Sequence, residues 1–199
     1  MGLSKLQSRI KDKLGIKKVI VVPGSYEKNE TLLKDVAKHG ADYFLSIIKD
    51  GNTVSITGGS TMLEFANSLK ADKKYIETTI VPARGGVGKD VETQSNNIVA
   101  KIGNKLGANY RLLHIPDELG VEAMKTIKLE PEINSTLNYI KQADILVFGI
   151  GRADQMAMRR KLPQEKVEEI LAKGAVGEAF GHYFNKNGEI VYKLNTVGI

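Results

Sequence analysis

Short runs of valine, isoleucine and other apolar residues recur along the chain, separated by longer segments with helical periodicity. Such near-continuous runs are typical of parallel strands buried on both faces, and their alternation with helices is typical of crossover units. The pattern therefore predicts an α/β fold, a three-layer Rossmann-like architecture with a mostly parallel sheet. The predicted strands span residues 19–22, 53–57, 78–83, 110–115 and 145–148.

The predicted helices lie between these runs. Asn29 can cap a helix that runs to about residue 49, and further helices are expected near 62–69, 91–106 and 131–141. The C-terminal part differs, because Asn187 and Gly188 form a dipeptide typical of tight hairpin turns. We expect an antiparallel hairpin there, with strands at 179–184 and 190–194.

The first residues differ from the rest in charge. The net charge of the 199-residue chain is +6, but residues 1–18 hold six basic side chains against Asp12, and the remainder holds 23 basic and 22 acidic ones. A generally basic surface for nucleic acid is therefore not expected. Residues 1–15 also carry an amphipathic stripe, which predicts either a helix docked on the domain or a linker helix to another domain. We assign 16–199 to one domain.

Several classes of protein are excluded by composition. The absence of cysteine excludes a disulfide scaffold, a thiolate metal site and a cysteine nucleophile, and is compatible with the cytoplasmic location that we expect. No apolar run approaches the roughly 20 residues needed to cross a bilayer. The three histidines lack metal-ligand spacing, and no complete nucleotide-binding or serine-hydrolase motif occurs. We predict no metal, no cofactor and no catalytic residue.

Three glycine-rich loops follow predicted strands, at 57–61, 82–88 and 149–152. Ligands of open α/β sheets bind at the carboxyl ends of the strands, where such loops lie. Sharp turns alone could explain the glycines, but backbone N–H groups at a helix N-terminus also attract anions. Ser60 and Thr61 add hydroxyl donors, and Arg84 can bind phosphate with its planar fork. The loops therefore favour a phosphate or carboxylate site.

Other polar residues allow more than one interpretation. Arg159 and Arg160, in a basic cluster with Arg152 and Lys161, form either a solvated helix face or a lid that adds positive charge. Glu178 could accept sugar hydroxyls, act as an acid or base, or pair with a neighbouring arginine. Gln94 could contact a hydroxyl or be simply solvated.

Six segments, taken together, closely resemble the sugar-binding domain of SorC-type bacterial transcriptional regulators. They are 56–61 (ITGGST), 81–86 (VPARGG), 94–96 (QSN), 149–151 (GIG), 156–160 (MAMRR) and 178–184 (EAFGHYF). The resemblance covers essentially the whole chain. It implies a fold similar to that of sugar-phosphate isomerases, deaminases and CoA transferases, without their catalysis.

The same resemblance implies a phosphorylated sugar as ligand, and fructose 1,6-bisphosphate among regulators of glycolytic genes. The implied binding residues are Gly58, Gly59, Ser60, Thr61, Arg84, Gln94, Arg159, Arg160 and Glu178. The first four would cradle phosphate, Arg84 and Gln94 would complete that side, Arg159 and Arg160 would contact the ligand from another segment, and Glu178 would accept a sugar hydroxyl. Position 60 departs from the family, since it is serine where threonine is favoured, but a hydroxyl donor is retained.

The family pattern extends beyond both ends of the sequence. No helix-turn-helix precedes the first helix, so we expect DNA to be read only by a domain outside this chain. The family also continues past Ile199 into a further strand and a loop with a ligand-binding lysine, so we expect the domain to be truncated there. We expect a homo-oligomer such as a dimer, acting as the effector-binding part of a repressor of glycolytic genes. The alternative is a sugar-phosphate isomerase, deaminase or lactonase with Glu178 as its base.

Overall fold

The computed structural model describes residues 2–24, 31–87, 90–117 and 119–199. The first elements are α1 (Leu3–Leu14), α2 (Leu32–Ile47), β1 (Thr53–Ile56), α3 (Ser60–Ser68), β2 (Thr79–Pro82) and α4 (Ser95–Leu106). The middle elements are β3 (Asn109–Tyr110), α5 (Val121–Ile127), α6 (Pro131–Lys141) and β4 (Ile145–Val147). The last are β5 (Gly151–Arg152), α7 (Ala153–Arg159), α8 (Gln164–Ala172), β6 (Ala175–Ala179), β7 (His182–Asn185) and β8 (Ile190–Lys193).

Four strands form a parallel sheet in the order β3-β2-β1-β4. Val54 of β1 pairs with Ile80 on one side and with Ile145 on the other. The chain therefore moves from β1 outward to β2 and β3, then crosses back to the opposite side of β1. Such a reversal of strand order opens a crevice at the carboxyl ends of the two strands concerned, here β1 and β4.

Helices cover both faces of this sheet. Val54, Ile56 and Ile80 point into one core, which they share with α2, α3 and α4. Val81, the next residue on β2, points into a second core with side chains from α5 and α6. Successive side chains of a strand alternate between faces, so two separate cores mean two covered faces. The prediction of a three-layer α/β fold is confirmed.

The C-terminal part forms a second, antiparallel sheet in the order β5-β6-β7-β8. Helices α7 and α8 pack on it around Tyr183 and Ile170, both fully buried. The hairpin turn at 187–188 is confirmed, since it joins β7 to β8. The predicted strand 179–184 is wrong, however, because a tight turn at Phe180 and Gly181 divides it between β6 and β7.

Two other predicted strands differ from the structure. Residues 19–22 form no strand and are not buried, so their apolar character did not identify a sheet position. The strand predicted at 110–115 is reduced to the two residues of β3. The proposed cap Asn29 lies outside the described residues, and α2 begins after Thr31.

The N-terminal helix has the predicted position but buries none of its residues. Leu3, Leu6 and Leu14 of its apolar stripe are 43%, 36% and 63% exposed. A hydrogen bond from the Val21 amide to Gln7 Oε1 (2.8 Å) connects the helix to the segment that follows it. Docked helix and linker helix both stay predictions, as does the division at residue 15. None of the described helices is long and apolar enough to cross a membrane.

Candidate functional site

A pocket of about 360 Å³ opens at the carboxyl ends of β1, β2 and β4. It therefore lies at the crevice that the reversal of strand order creates. Its walls come from the loops after these strands, from the first turns of α3 and α4, and from α7 and the β6–β7 turn.

This one pocket is lined by all nine of the residues that were predicted from the sequence to bind the ligand. They come from five separate segments between residues 58 and 178, which only the fold brings together. Arg152 and Phe180 also line it, as do the polar residues Thr57, Thr93, Ser95 and Gln155. Among the described lining residues, four are arginines and Glu178 is the only carboxylate. The pocket wall therefore favours an anion.

The glycine loop after β1 is shaped by close backbone packing. A Cβ on Gly58 would lie 2.6 Å from the Thr93 carbonyl oxygen, so no larger residue fits there. The Gly59 amide donates to the same oxygen at 2.9 Å, so this N–H is already used. Helix α3 begins at Ser60, and amides of a first helical turn have no acceptor within their own helix. The first turn, rather than Gly59, therefore supplies the amide donors that an anion can use.

Gln94 holds the neighbouring loop in place. It precedes α4, and its side-chain Nε2 donates to the Val87 carbonyl at 3.1 Å. Ser95 Oγ donates to the Arg84 carbonyl at 3.3 Å. Both bonds attach the loop after β2 to the start of α4. Gln94 is thus bonded to the protein rather than simply solvated.

Four buried charged side chains form an ion network at the base of the pocket. Arg84 donates two hydrogen bonds to Asp117, through Nε to Oδ1 (2.8 Å) and through Nη2 to Oδ2. Arg160 donates through Nη1 to Asp117 Oδ2 (2.8 Å) and through Nη2 to Glu178 Oε1 (3.3 Å). Arg84 Nη1 also lies 3.5 Å from Glu178 Oε1. No side chain of the four is more than 7% exposed.

Arg160 keeps its charge despite its burial. Burial disfavours the charged guanidinium of Arg160, but the hydrogen bond to Asp117 and the charges of Asp117 and Glu178 raise its pKa above its ordinary value. Two arginines against two carboxylates make the group neutral. Buried charges are stable in proteins when they are paired in this way.

Sequence reasoning missed Asp117, which belongs to this network but does not line the pocket. It is 33 residues from Arg84 along the chain, and no motif connects the two positions. One available signal was a carboxylate placed just after the predicted strand 110–115, at the same edge of the sheet as the Arg84 loop.

The basic cluster after β4 is divided between two environments. Arg160 is fixed in the network, with its side chain 2% exposed. Arg159 is exposed on α7, and Arg152 is paired with Asp154 in an ion pair (2.7 Å) on the surface. The cluster is therefore not a uniformly solvated helix face, and its role as a lid that adds positive charge stays a prediction.

The turn between β6 and β7 adds an aromatic wall. Phe180 has a φ of 55°, which is uncommon for a residue with a side chain, and its ring lies 4.7 Å from that of Phe148. The Gly181 amide donates to Glu178 Oε1 at 2.5 Å. Of the three interpretations of Glu178, the structure shows the pairing with arginine, since Oε1 lies beside Arg84 and Arg160. Sequence reasoning missed Phe180 as a pocket residue.

Glu178 is fixed by several contacts at the pocket wall. It faces two guanidinium groups and accepts a hydrogen bond from the Gly181 amide. None of the three histidines lines the pocket. In the described parts of the chain, no group of three or more potential ligands could hold a metal ion.

The chain is similar along its whole length to known proteins. A family model described as "Putative sugar-binding domain" matches residues 1–199. The chain is 41% identical over 199 residues to the central glycolytic genes regulator of Priestia megaterium and 39% identical to that of Bacillus subtilis. These matches cover the whole chain but 58% of each relative.

A solved structure has the same fold. The SorC family transcriptional regulator from Enterococcus faecalis superposes with a TM-score of 0.87 at 34% identity. The superposition covers 98% of this chain and 80% of the other.

Proposed function

The chain belongs to the family of sugar-binding domains of SorC-type transcriptional regulators, and from this membership we propose that it binds a phosphorylated sugar and transmits that binding to a DNA-binding domain. The DNA-binding domain would lie outside residues 1–199, since the chain spans 58% of the length of its regulator relatives. In this role the domain is a sensor and carries no catalysis.

The observation that carries the proposal is the composition of the pocket wall, with four arginines and one carboxylate. Phosphate is an anion that both guanidinium forks and helix N-termini bind. Thr61, Gln94 and Glu178 add groups that can bond to hydroxyls. A ligand with both phosphate and hydroxyl groups uses both features.

Specific roles follow for the residues of the pocket. The loop of Gly58 and Gly59 gives the first turn of α3 its position, and Ser60 and Thr61 at that turn donate to a phosphate. Arg84 and Arg160 offer hydrogen-bond donors at the base of the pocket, where Asp117 and Glu178 balance their charge, and Arg159 adds positive charge from the exposed side. Gln94 keeps the loop after β2 against α4. Glu178 accepts a hydroxyl through Oε2, because Oε1 already faces the two arginines and Gly181.

We propose fructose 1,6-bisphosphate as the ligand and glycolytic genes as the regulated set, with the whole protein acting as a repressor. Two relatives are central glycolytic genes regulators, which supports the choice of a glycolytic sugar. Cationic groups lie on more than one wall of the pocket, which supports a ligand with two anionic ends. We further propose that the whole protein is a cytoplasmic homo-oligomer such as a dimer.

Isothermal titration calorimetry tests the proposal with fructose 1,6-bisphosphate, fructose 6-phosphate and fructose. We expect the bisphosphate to bind most tightly and the unphosphorylated sugar not to bind. Equal affinities for the two phosphates would contradict the bisphosphate assignment, and absence of binding by both would contradict the sensor function. Turnover of either phosphate, abolished by Glu178→Gln, would favour an enzyme instead.

A further inference from the structure

Asp117 is a carboxylate shared by two arginines of the pocket wall. Arg84 belongs to the loop after β2, and Arg160 directly follows α7, so the two arginines come from distant parts of the chain. Both donate to Asp117, and its Oδ2 accepts from each of them. Asp117 itself does not line the pocket, whereas both arginines do.

The bonds to Asp117 fix the orientation of both guanidinium groups. A guanidinium is planar, with five N–H donors in a rigid fork. Asp117 takes the Nε/Nη2 edge of Arg84 and one end of Arg160, so that Arg84 Nη1 and Arg160 Nη2 turn toward Glu178. Glu178 lines the pocket. Arg84 Nη1 and Arg160 Nη2 therefore lie on the side of the network that faces Glu178 and the pocket.

The backbone holds Asp117 rigidly in this place. Its amide donates to the Gly86 carbonyl at 3.0 Å, and its carbonyl accepts from the Val197 amide at 2.8 Å. The Gly85 amide in turn donates to the Val197 carbonyl at 3.1 Å. The carboxylate is thus attached to the loop that carries Arg84 and to the C-terminal segment. A fixed acceptor of this kind can preorganise the groups that bond to it.

We propose that Asp117 is a positioning residue, which aims Arg84 and Arg160 at the anionic group of the ligand. The proposal rests on the proposed function, since it requires that the pocket take a phosphorylated sugar. Two guanidinium groups at one buried site repel each other, and a shared carboxylate lets both stay there charged. Asp117 acts on the ligand through the arginines and not by contact.

The opposite role for Asp117 makes a different prediction. A carboxylate beside the pocket could act only as a counter-charge that competes with the anion for the arginines. Its removal would then strengthen anion binding. A positioning role predicts weaker binding, so the sign of the change in affinity distinguishes the two.

Asp117→Asn tests the proposal, with Asp154→Asn as its matched control. Asp154 also binds an arginine bidentately, through Arg152 Nε (3.1 Å) and Nη2 (2.7 Å), but that pair is exposed. Both substitutions remove one negative charge near the pocket. We expect the Kd for fructose 1,6-bisphosphate to rise about tenfold or more in Asp117→Asn and to stay within about twofold in Asp154→Asn.

The titrations are made well below the unfolding temperature of each variant, where the variant is folded. If Asp117 only stabilised the fold, Kd would then stay unchanged. Nuclear magnetic resonance gives a second readout without ligand. The Arg84 Nε–H should exchange slowly in the wild type and rapidly in Asp117→Asn. If Asp117→Asn does not fold, Asp117→Glu keeps the charge but displaces it by one methylene, and weaker binding is again expected.

The outcomes separate this proposal from the proposed function. If the wild type binds fructose 1,6-bisphosphate and a folded Asp117 variant binds it equally or more tightly, the positioning role is overturned while the sensor function stands. If the wild type binds none of the sugar phosphates, the sensor function is wrong and the positioning role is overturned with it.

Discussion

Glu178 accepts a hydrogen bond from the backbone amide of Gly181, three residues later, with the same oxygen that faces Arg84 and Arg160. The bond closes the turn between β6 and β7 directly against the ion network. The conformation of this turn and the charge arrangement in the pocket therefore depend on each other.

Gly181→Ala should destabilise the protein and weaken ligand binding. Gly181 has a φ of 77°, and a Cβ there would lie 2.6 Å from Thr196 Cγ2 and 3.3 Å from Arg84 Nη2. We expect this overpacking to lower the free energy of unfolding by about 1–3 kcal/mol, in addition to the effect of the backbone strain. Chemical denaturation and calorimetry with the sugar phosphates measure the two effects.

Gly188→Ala is the control for the backbone strain alone. Its φ of 84° is similar, but nothing lies within 4 Å of the added Cβ. Gly188→Ala should lower the free energy of unfolding by about 1 kcal/mol and leave the affinity for the sugar phosphates unchanged. Equal losses of stability in the two variants would mean that the contacts around Gly181 adapt without cost.

Arg84→Ala should destabilise the fold as well as abolish tight binding. Arg84 lines the pocket and is also part of the buried ion network, where it pairs with Asp117 and Glu178. Its removal leaves Asp117 and Glu178 with Arg160 as their shared cation. Breaking a buried charge pair costs about 3–5 kcal/mol.

Arg152→Ala is the comparison for this prediction, because the Arg152 side chain is 64% exposed in its pair with Asp154. An exposed pair contributes about 0–1 kcal/mol. Denaturation of both variants measures the difference. If Arg84→Ala is no less stable than Arg152→Ala, the network does not stabilise the fold.

The sequence predicted the parts of the molecule that depend on local signals. Helix α6 has the predicted bounds, because proline at its start and an apolar period of about 3.6 residues are local features. The glycine loops and Arg84 meet in one pocket because the carboxyl ends of parallel strands lie at one edge. This rule let residues far apart in the chain be assigned to one site.

The parts that escaped prediction depend on distant contacts or on unusual backbone. The partnership of Arg84 with Asp117 follows from the packing of two loops, and no spacing rule encodes it. The turn at Phe180 has a non-glycine residue at positive φ, where sequence rules expect glycine or asparagine. Residues 19–22 have the composition of a strand, but a strand requires a neighbour to pair with, which composition does not reveal.

A carboxylate of α8 should stay ionised in acid. Hydrogen bonds from Lys166 and then Lys173 lower the pKa of Glu169 from 4.5 to about 2. A pKa lowered by folding contributes stability that is present above the unfolded value, and this stability is lost as the pH falls through about 2. Side-chain carboxyl signals followed by nuclear magnetic resonance should therefore show Glu169 still charged at about pH 3.

Lys166→Gln removes the larger cause of this shift and should move the Glu169 pKa back toward 4.5. Lys125→Gln on α5 is the control. Lys125 pairs with Glu122 and not with Glu169, so this substitution should leave the Glu169 pKa unchanged. A Glu169 midpoint near 4.5 in the unaltered protein would contradict the prediction.

Thr61→Val should weaken phosphate binding while it keeps the shape of the side chain. Thr61 lines the pocket on the first turn of α3, where its hydroxyl and the backbone amides can donate to the same anion. A hydrogen bond contributes about 0.5–1.5 kcal/mol net, which corresponds to a rise in Kd of about two- to twelvefold. Calorimetry with fructose 1,6-bisphosphate measures it. Thr126→Val is the matched control, since its hydroxyl donates to the Glu122 carbonyl on α5 and Thr126 does not line the pocket. An unchanged Kd in Thr61→Val would mean that the amides of α3 hold the phosphate without the hydroxyl.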